Sequence, residues 1–162
     1  MSMFENEQYC WRETYFVLFD VAKRPKLNVL EKALAKLSNR FAVTNLAADD
    51  QGLVESLTVL APDDFAALDV CYVEGDEVAE QAAALAEEID LGDNPAVAMA
   101  RKQRLRCATA RFDVLHFEQV VAAESDDEAD ALFDPTALLV VLEGLAKITD
   151  GLAVDPQAGT VL

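Results

Sequence analysis

The sequence predicts an α+β fold built on an antiparallel or mixed sheet, and three observations predict it. Runs rich in aromatic and β-branched residues and runs with helical apolar spacing follow one another without the strict alternation of a doubly wound parallel sheet. Apolar residues make up 52% of the chain, enough for a packed core and too many for a disordered or fibrous protein. A chain of 162 residues buries roughly two-thirds of the surface its unfolded form exposes, so one domain over residues 1–162 stands without disulfides or metal.

Residues 13–20 (ETYFVLFD) place Tyr15, Val17 and Phe19 on one face and Phe16 and Leu18 on the other, the pattern of an interior strand covered on two sides. Leu27, Leu30, Leu34 and Leu37 then recur at helical spacing, with Glu31, Lys32 and Lys36 on the opposite side. This first helix starts either near Pro25 or at an Asn28–Glu31 capping arrangement, and Asn39 suits a left-handed stop. Residues 41–47 and 53–60 form a hairpin across the turn chemistry of residues 48–52 (ADDQG). Pro62, Asp63 and Asp64 break the second run, and residues 68–74 (LDVCYVE) are extended again.

Asp76 heads a second helix with Val78, Ala82, Leu85 and Ile89 on one side, ending near Gly92. Residues 91–106, interrupted by Gly92 and Pro95, read as an irregular connection. Ala108, Ala110, Phe112 and Val114 alternate with Thr109, Arg111 and Asp113 as in a half-buried strand, and Leu115 and Phe117 imply a bulge or a change of face. Residues 124–130 (ESDDEAD) concentrate acids in what reads as a mobile loop. Asp134 as cap, Pro135 in the first turn and Gly151 at the stop bracket a third helix that is apolar nearly all round and therefore deeply buried. Residues 152–154 and 160–162 close the chain as a hairpin around the Asp155–Pro156 turn. Over residues 13–118 the order β-α-β-β-α-β is that of a ferredoxin-like split β-α-β sandwich, to which the last helix and hairpin are added.

The net charge of −17 repels nucleic-acid phosphates and anionic lipid headgroups, so neither nucleic acid nor a membrane surface is an expected partner. A basic protein partner, a multivalent cation, or a salty or acid-biased proteome fits the charge, and a homodimer fits a first strand with two faces to cover. Cys10, Cys71 and Cys107 contain no CxxC pair and form no disulfide framework, which points to a reducing compartment, the cytoplasm. Residues 1–12 carry Glu5 and Glu7 and no apolar run, so they do not read as a signal peptide, although Phe4, Tyr9 and Trp11 are suited to docking on the body. The longest apolar run, residues 137–142, is far short of the roughly 20 residues that cross a bilayer.

Catalytic and metal chemistry find little support. The chain has one imidazole, His116, on the apolar side of a strand beside Leu115 and Phe117, where a hydrogen-bonded structural role is expected. Cys107 stands next to Arg106, the kind of neighbour that activates a thiol, but all three cysteines sit where a cysteine acts as a small hydrophobe. No close Cys/His spacing suits zinc, no Gly-turned acidic loop suits calcium, and no glycine cluster cradles phosphate, so no cofactor is expected. The paired acids Asp49–Asp50, Asp63–Asp64 and Glu87–Glu88 fall in turns or on a helix surface rather than in an acid/base dyad.

One asymmetry stands out. Arg101, Lys102, Arg104, Arg106 and Arg111 gather in a short stretch of an acidic chain; they either neutralise the chain's own acids, notably the helix carrying Glu80, Glu87 and Glu88, or present the forked guanidiniums of Arg104, Arg106 and Arg111 as the candidate site for an anionic ligand. Without a credible catalytic set, the expected function is that of a non-catalytic acidic protein-interaction module, immunity-type or inhibitor-like. The alternative is a ferredoxin-like small-ligand-binding or regulatory domain. An active site of carboxylates and arginine assembled in three dimensions lies outside what spacing reveals.

Overall fold

A computed structural model describes residues 9–62, 65–119 and 136–162. Strand β1 (Tyr9–Phe19) holds a central position because it is apolar on both faces, with Val17, Leu18 and Phe19 all buried. The chain continues through a short 3-10 turn at Val21–Lys23 into helix α1 (Leu27–Leu37), then strands β2 (Ala42–Ala48), β3 (Val54–Ala61) and β4 (Ala66–Glu74). Helices α2 (Asp76–Glu88) and α3 (Pro95–Arg106) follow, then β5 (Ala110–Gln119), helix α4 (Thr136–Thr149), β6 (Leu152–Asp155) and β7 (Thr160–Val161). The strands form one seven-stranded sheet in the order β2-β3-β4-β5-β1-β6-β7, and every neighbouring pair is antiparallel.

The protein is thus a mixed α+β fold, but its strand order differs from the ferredoxin-like expectation. In that sandwich the first strand lies between the strands that precede and follow the second helix. Here β4 pairs with β5, from Ala66↔Glu118 to Glu74↔Ala110, and the second neighbour of β1 is β6. The cause is α3, in the stretch expected to be irregular. A single helix after β4 would return the chain to the start of that strand and send β5 parallel to it. The second helix brings the chain back, so the Gly75 N–H that opens α2 bonds the Thr109 carbonyl ahead of β5, and β5 runs antiparallel at once. Asn94 caps α3 by accepting from the N–H groups of Ala96 and Val97, and Pro95 occupies the first turn. Those are ordinary helix-start signals, but Leu105 is the one fully buried residue of α3, so no apolar stripe announces it.

Smaller corrections follow from local chemistry. Helix α1 begins at Leu27 after Lys26, which makes no side-chain cap, so the Asn28–Glu31 box is not used; the helix ends on an extended Ser38 rather than a left-handed Asn39. The irregularity expected near Leu115 lies across the ladder in β1, between Trp11 and Glu13. The hairpin of β2 and β3 closes as expected, with the Asp49 carboxylate accepting from the N–H groups of Gln51 and Leu53. Asp155 does the same for Gln157 and Ala158 at the turn between β6 and β7. Expectations placed on Phe4, Asp63–Asp64, residues 124–130 and the Asp134–Pro135 cap lie outside the described residues.

Alternation along the strands sends side chains to two layers. On one face Tyr15, Val17, Phe19, Phe112 and Val114 meet Leu30 and Leu34 of α1 and Leu138, Val141, Leu142 and Leu145 of α4. On the other, Leu18 and Val154 meet Val78, Ala82 and Ala86 of α2 and Leu105 of α3. No helix among the described residues is long and apolar enough to cross a membrane.

Candidate functional site

Arg104 and Arg106 stand two residues apart on α3, about 200° around a helix, and so project from different sides of it. Arg104 lies 3.6 Å from the Asp150 carboxylate just past α4. Arg106 reaches Glu87 of α2 at 2.6 Å, and Lys102 approaches the other oxygen of the same carboxylate at 3.3 Å. Hydrogen bonds from these two cations hold the Glu87 carboxyl below the ordinary range. Arg111, on β5, donates to Asp113 at 2.7 Å and to Gln81 of α2, and its guanidinium stacks 4.4 Å over the Phe16 ring. The three guanidiniums are therefore each engaged with a different part of the chain. Arg104 lines a cleft of about 470 Å³ with Leu139, Leu142, Ala153, Leu162 and Asp150, and Arg106 and Arg111 do not.

A second concentration of polar groups escapes the sequence reading. On the face of the sheet that carries α2 and α3, the two helices sit over β1, β6 and the near ends of β4 and β5. Toward β2 the same face holds a cavity of about 370 Å³ lined by Asn45, Ala47, Ser56, Thr58, Asp69 and Cys71. Cross-strand register aligns these residues: Ala47 opposes Ser56, Ser56 opposes Cys71, and Thr58 opposes Asp69. The Thr58 hydroxyl donates to the Asp69 carboxylate at 2.6 Å and accepts from the Asn45 side-chain amide at 3.2 Å. Thr58 is 2% and Asp69 6% exposed, so both are polar groups in a nearly dry setting, where hydrogen bonds are strong and their loss is costly. Asn45 adopts φ 53° at the irregularity that breaks the β2–β3 ladder between Thr44 and Ala47. Asparagine tolerates that left-handed conformation better than most residues.

The chemistry open to these groups is bounded. Burial, and then the carboxylates of Asp69 and Asp113, push the Cys71 thiol up, so it stays protonated near neutrality and is not an activated nucleophile. His116 is fully buried and pairs across the ladder with Leu68 and Glu13, which places it on the α1–α4 face. Its Nδ1 lies 3.6 Å from Glu13, and burial, outweighing that carboxylate, lowers its pKa below the ordinary imidazole value. The sheet separates this imidazole from Cys71, Arg111 and Asp113, so these residues do not share a cleft. Cys107 is exposed at the end of α3, where its sulfur accepts from Gln103. No group of three or more His, Cys, Asp or Glu among the described residues is arranged to hold a metal ion.

The signals that could have found the cavity are an aspartate inside the apolar run of β4 and an asparagine inside the β-rich run of β2. Fold and site together define a mixed α+β protein with helices on both faces of a seven-stranded antiparallel sheet, one corner of which carries a polar recess. No family model matches the chain, and comparisons with curated proteins and with solved structures return no match.

Proposed function

We propose that this protein is a non-catalytic, cytoplasmic interaction module, immunity-type or inhibitor-like, whose acidic face engages a basic protein rather than nucleic acid or a membrane surface. The observation that supports this reading is the concentration of acids on and around α2. Residues 74–93, which span α2, contain eight acids and no Lys or Arg, and all eight are exposed. Residues 21–41, which span α1 on the opposite face, contain six basic residues and one acid. Of the eight acids, Glu87 is the one with described cationic partners, Lys102 and Arg106 of the neighbouring α3, while Arg101 turns to the Leu91 carbonyl and Arg104 to Asp150. Such a face steers a basic partner and makes its association fast and salt-sensitive.

Native mass spectrometry of the protein purified gently at low salt from the organism that makes it tests the proposal. The expected result is a stoichiometric basic protein that is lost as salt rises and is not retained by the variant Asp76→Asn, Glu77→Gln, Glu80→Gln, Glu88→Gln. Recovery without a second protein, as a homodimer alone, or with one indifferent to salt and to those four acids, overturns it. A second reading, an anionic small molecule held by Arg104, Arg106 and Arg111, draws support from the cleft beneath Arg104, whose ion pair with Asp150 is exposed on both sides. It requires a bound small mass that disappears when the three arginines are replaced by Gln.

A further inference from the structure

Leu139, Glu143 and Lys147 stand four residues apart on α4 and are all exposed, so they form one ridge along the outer side of that helix. Beside the ridge runs the groove of about 470 Å³, whose apolar lining includes Leu142, Ala146, Leu152, Ala153 and Leu162. Leu139 and Leu162 are 49% and 48% exposed, so two leucines of the lining remain half bare. The charges of the lining are balanced. Lys147 pairs with Glu143 at 3.0 Å and Arg104 with Asp150 at 3.6 Å, both pairs exposed, and these four are its charged residues. Exposed pairs of this kind contribute little where they stand, so they are free to exchange partners. The chain as a whole carries a net charge of −17, which makes a neutral apolar strip the surface on which a second copy can approach without repulsion at the contact. A basic partner gains nothing from this strip over α2, which lies on the other face of the sheet from α4.

A two-fold interface needs one patch that both projects and receives, and here ridge and groove are side by side. We propose that two copies of this chain associate about a two-fold axis along the outer side of α4, the Leu139–Glu143–Lys147 ridge of each lying in the groove of the other. Packing an i±4 row of one helix beside that of another is the commonest helix–helix geometry in globular proteins. Charge selects the register. An axis through Glu143 or through Lys147 brings like charges face to face. An axis midway between them sets each Glu143 against the Lys147 of the other copy, and carries each Leu139 to the level of Gly151 and Leu152, where the groove of that copy is apolar. The patch is smaller than the roughly 20–30 residues a side of a standard interface, so the dimer is weak and reversible. It goes beyond the acidic-face reading and leaves α2 open to a different protein.

Sedimentation equilibrium of the full-length protein, from micromolar to near-millimolar concentration at low and at high salt, tests it. A monomer–dimer equilibrium is expected that tightens several-fold as salt screens the net charge of the two copies. Attraction of a basic protein to α2 has the opposite salt dependence, so the two readings stand or fall separately. Leu139→Asp, with a circular dichroism spectrum and melting curve matching the parent, should be monomeric throughout. Glu143→Lys and Lys147→Glu should each weaken the dimer about tenfold, although one lowers and the other raises the net negative charge, and the double exchange should restore it. A monomer at every concentration and salt, whatever else the groove then takes, overturns the dimer. A dimer that survives Leu139→Asp, that loosens as salt rises, or that the double exchange fails to restore overturns this interface.

Discussion

Replacing Thr58 by Val exchanges one hydroxyl for one methyl at nearly constant volume, and the structure says what that exchange removes. The hydroxyl is 2% exposed with its residue, donates at 2.6 Å to a carboxylate, and accepts at 3.2 Å from Asn45. A hydrogen bond to a charged group contributes about 1.5–3 kcal/mol. Burying the added methyl returns up to about 0.8 kcal/mol. The Asn45 donor is only part-buried and can turn to water, so the net loss is about 1–2 kcal/mol. With an unfolding entropy of about 2.1 cal/mol/K per residue, a chain of this length loses about 3–6 °C of Tm. Urea denaturation followed by far-UV circular dichroism measures it, with an unchanged m value as the check that the native and unfolded ensembles are otherwise the same. Thr58→Ser keeps the hydroxyl and should lose less than half as much. The Val penalty should also shrink in an Asp69→Asn background, where the hydroxyl no longer faces a charge. A Val variant as stable as the parent, or a Ser variant as damaged as Val, refutes the assignment of this hydroxyl as a group that holds the buried carboxylate.

Further outcomes follow from packing and ionisation. A methyl at Gly151 would lie 2.6 Å from the Leu18 carbonyl oxygen and 2.8 Å from Thr149 Oγ1, so Gly151→Ala should lose about 2–3 kcal/mol. At Gly144 the clash is with the end of the Leu37 side chain, which is 38% exposed and free to swing, so Gly144→Ala should melt within a few degrees of the parent. Iodoacetamide labelling read by mass spectrometry should modify exposed Cys10 and Cys107 before Cys71, and Asp69→Asn should move the Cys71 pH profile downward because a like charge is removed. His116 has its folded pKa depressed, so its neutral form stabilises the fold above the ordinary imidazole value of about 6.5 and that contribution is lost as pH falls below it. A plot of urea midpoint against pH should therefore fall more steeply below that value for the parent than for His116→Leu, and parallel curves would show that this imidazole carries no linkage.

What could be read in advance was local. The β2–β3 and β6–β7 hairpins announce themselves through Asp and Gly between strand-like runs, and α2 through its buried side, because each signal is complete within a few residues. Helix α3 was invisible as a helix for the converse reason: it rests on α2 through one buried leucine and so shows no apolar period. The strand order was beyond reach because it depends on whether one helix or two follow β4. The arginine stretch looked like a patch because its members are close in sequence, yet helical rotation and a change of element separate Arg104, Arg106 and Arg111. Asn45, Thr58 and Asp69, by contrast, come from three strands and meet through register alone.

The placement of β5 between β4 and β1 also dictates an order of assembly. Partners across the β1–β5 ladder, such as Phe19↔Ala110 and Tyr9↔Gln119, are separated by roughly ninety to a hundred and ten positions, so the pairing that unites the sheet is among the least local and slowest to form. Until β5 has left the ribosome the β2–β4 meander can close on itself, while β1 waits with both apolar faces and both edges unsatisfied. That waiting strand is where a nascent chain would recruit a chaperone or, failing one, pair with its neighbour on the polysome.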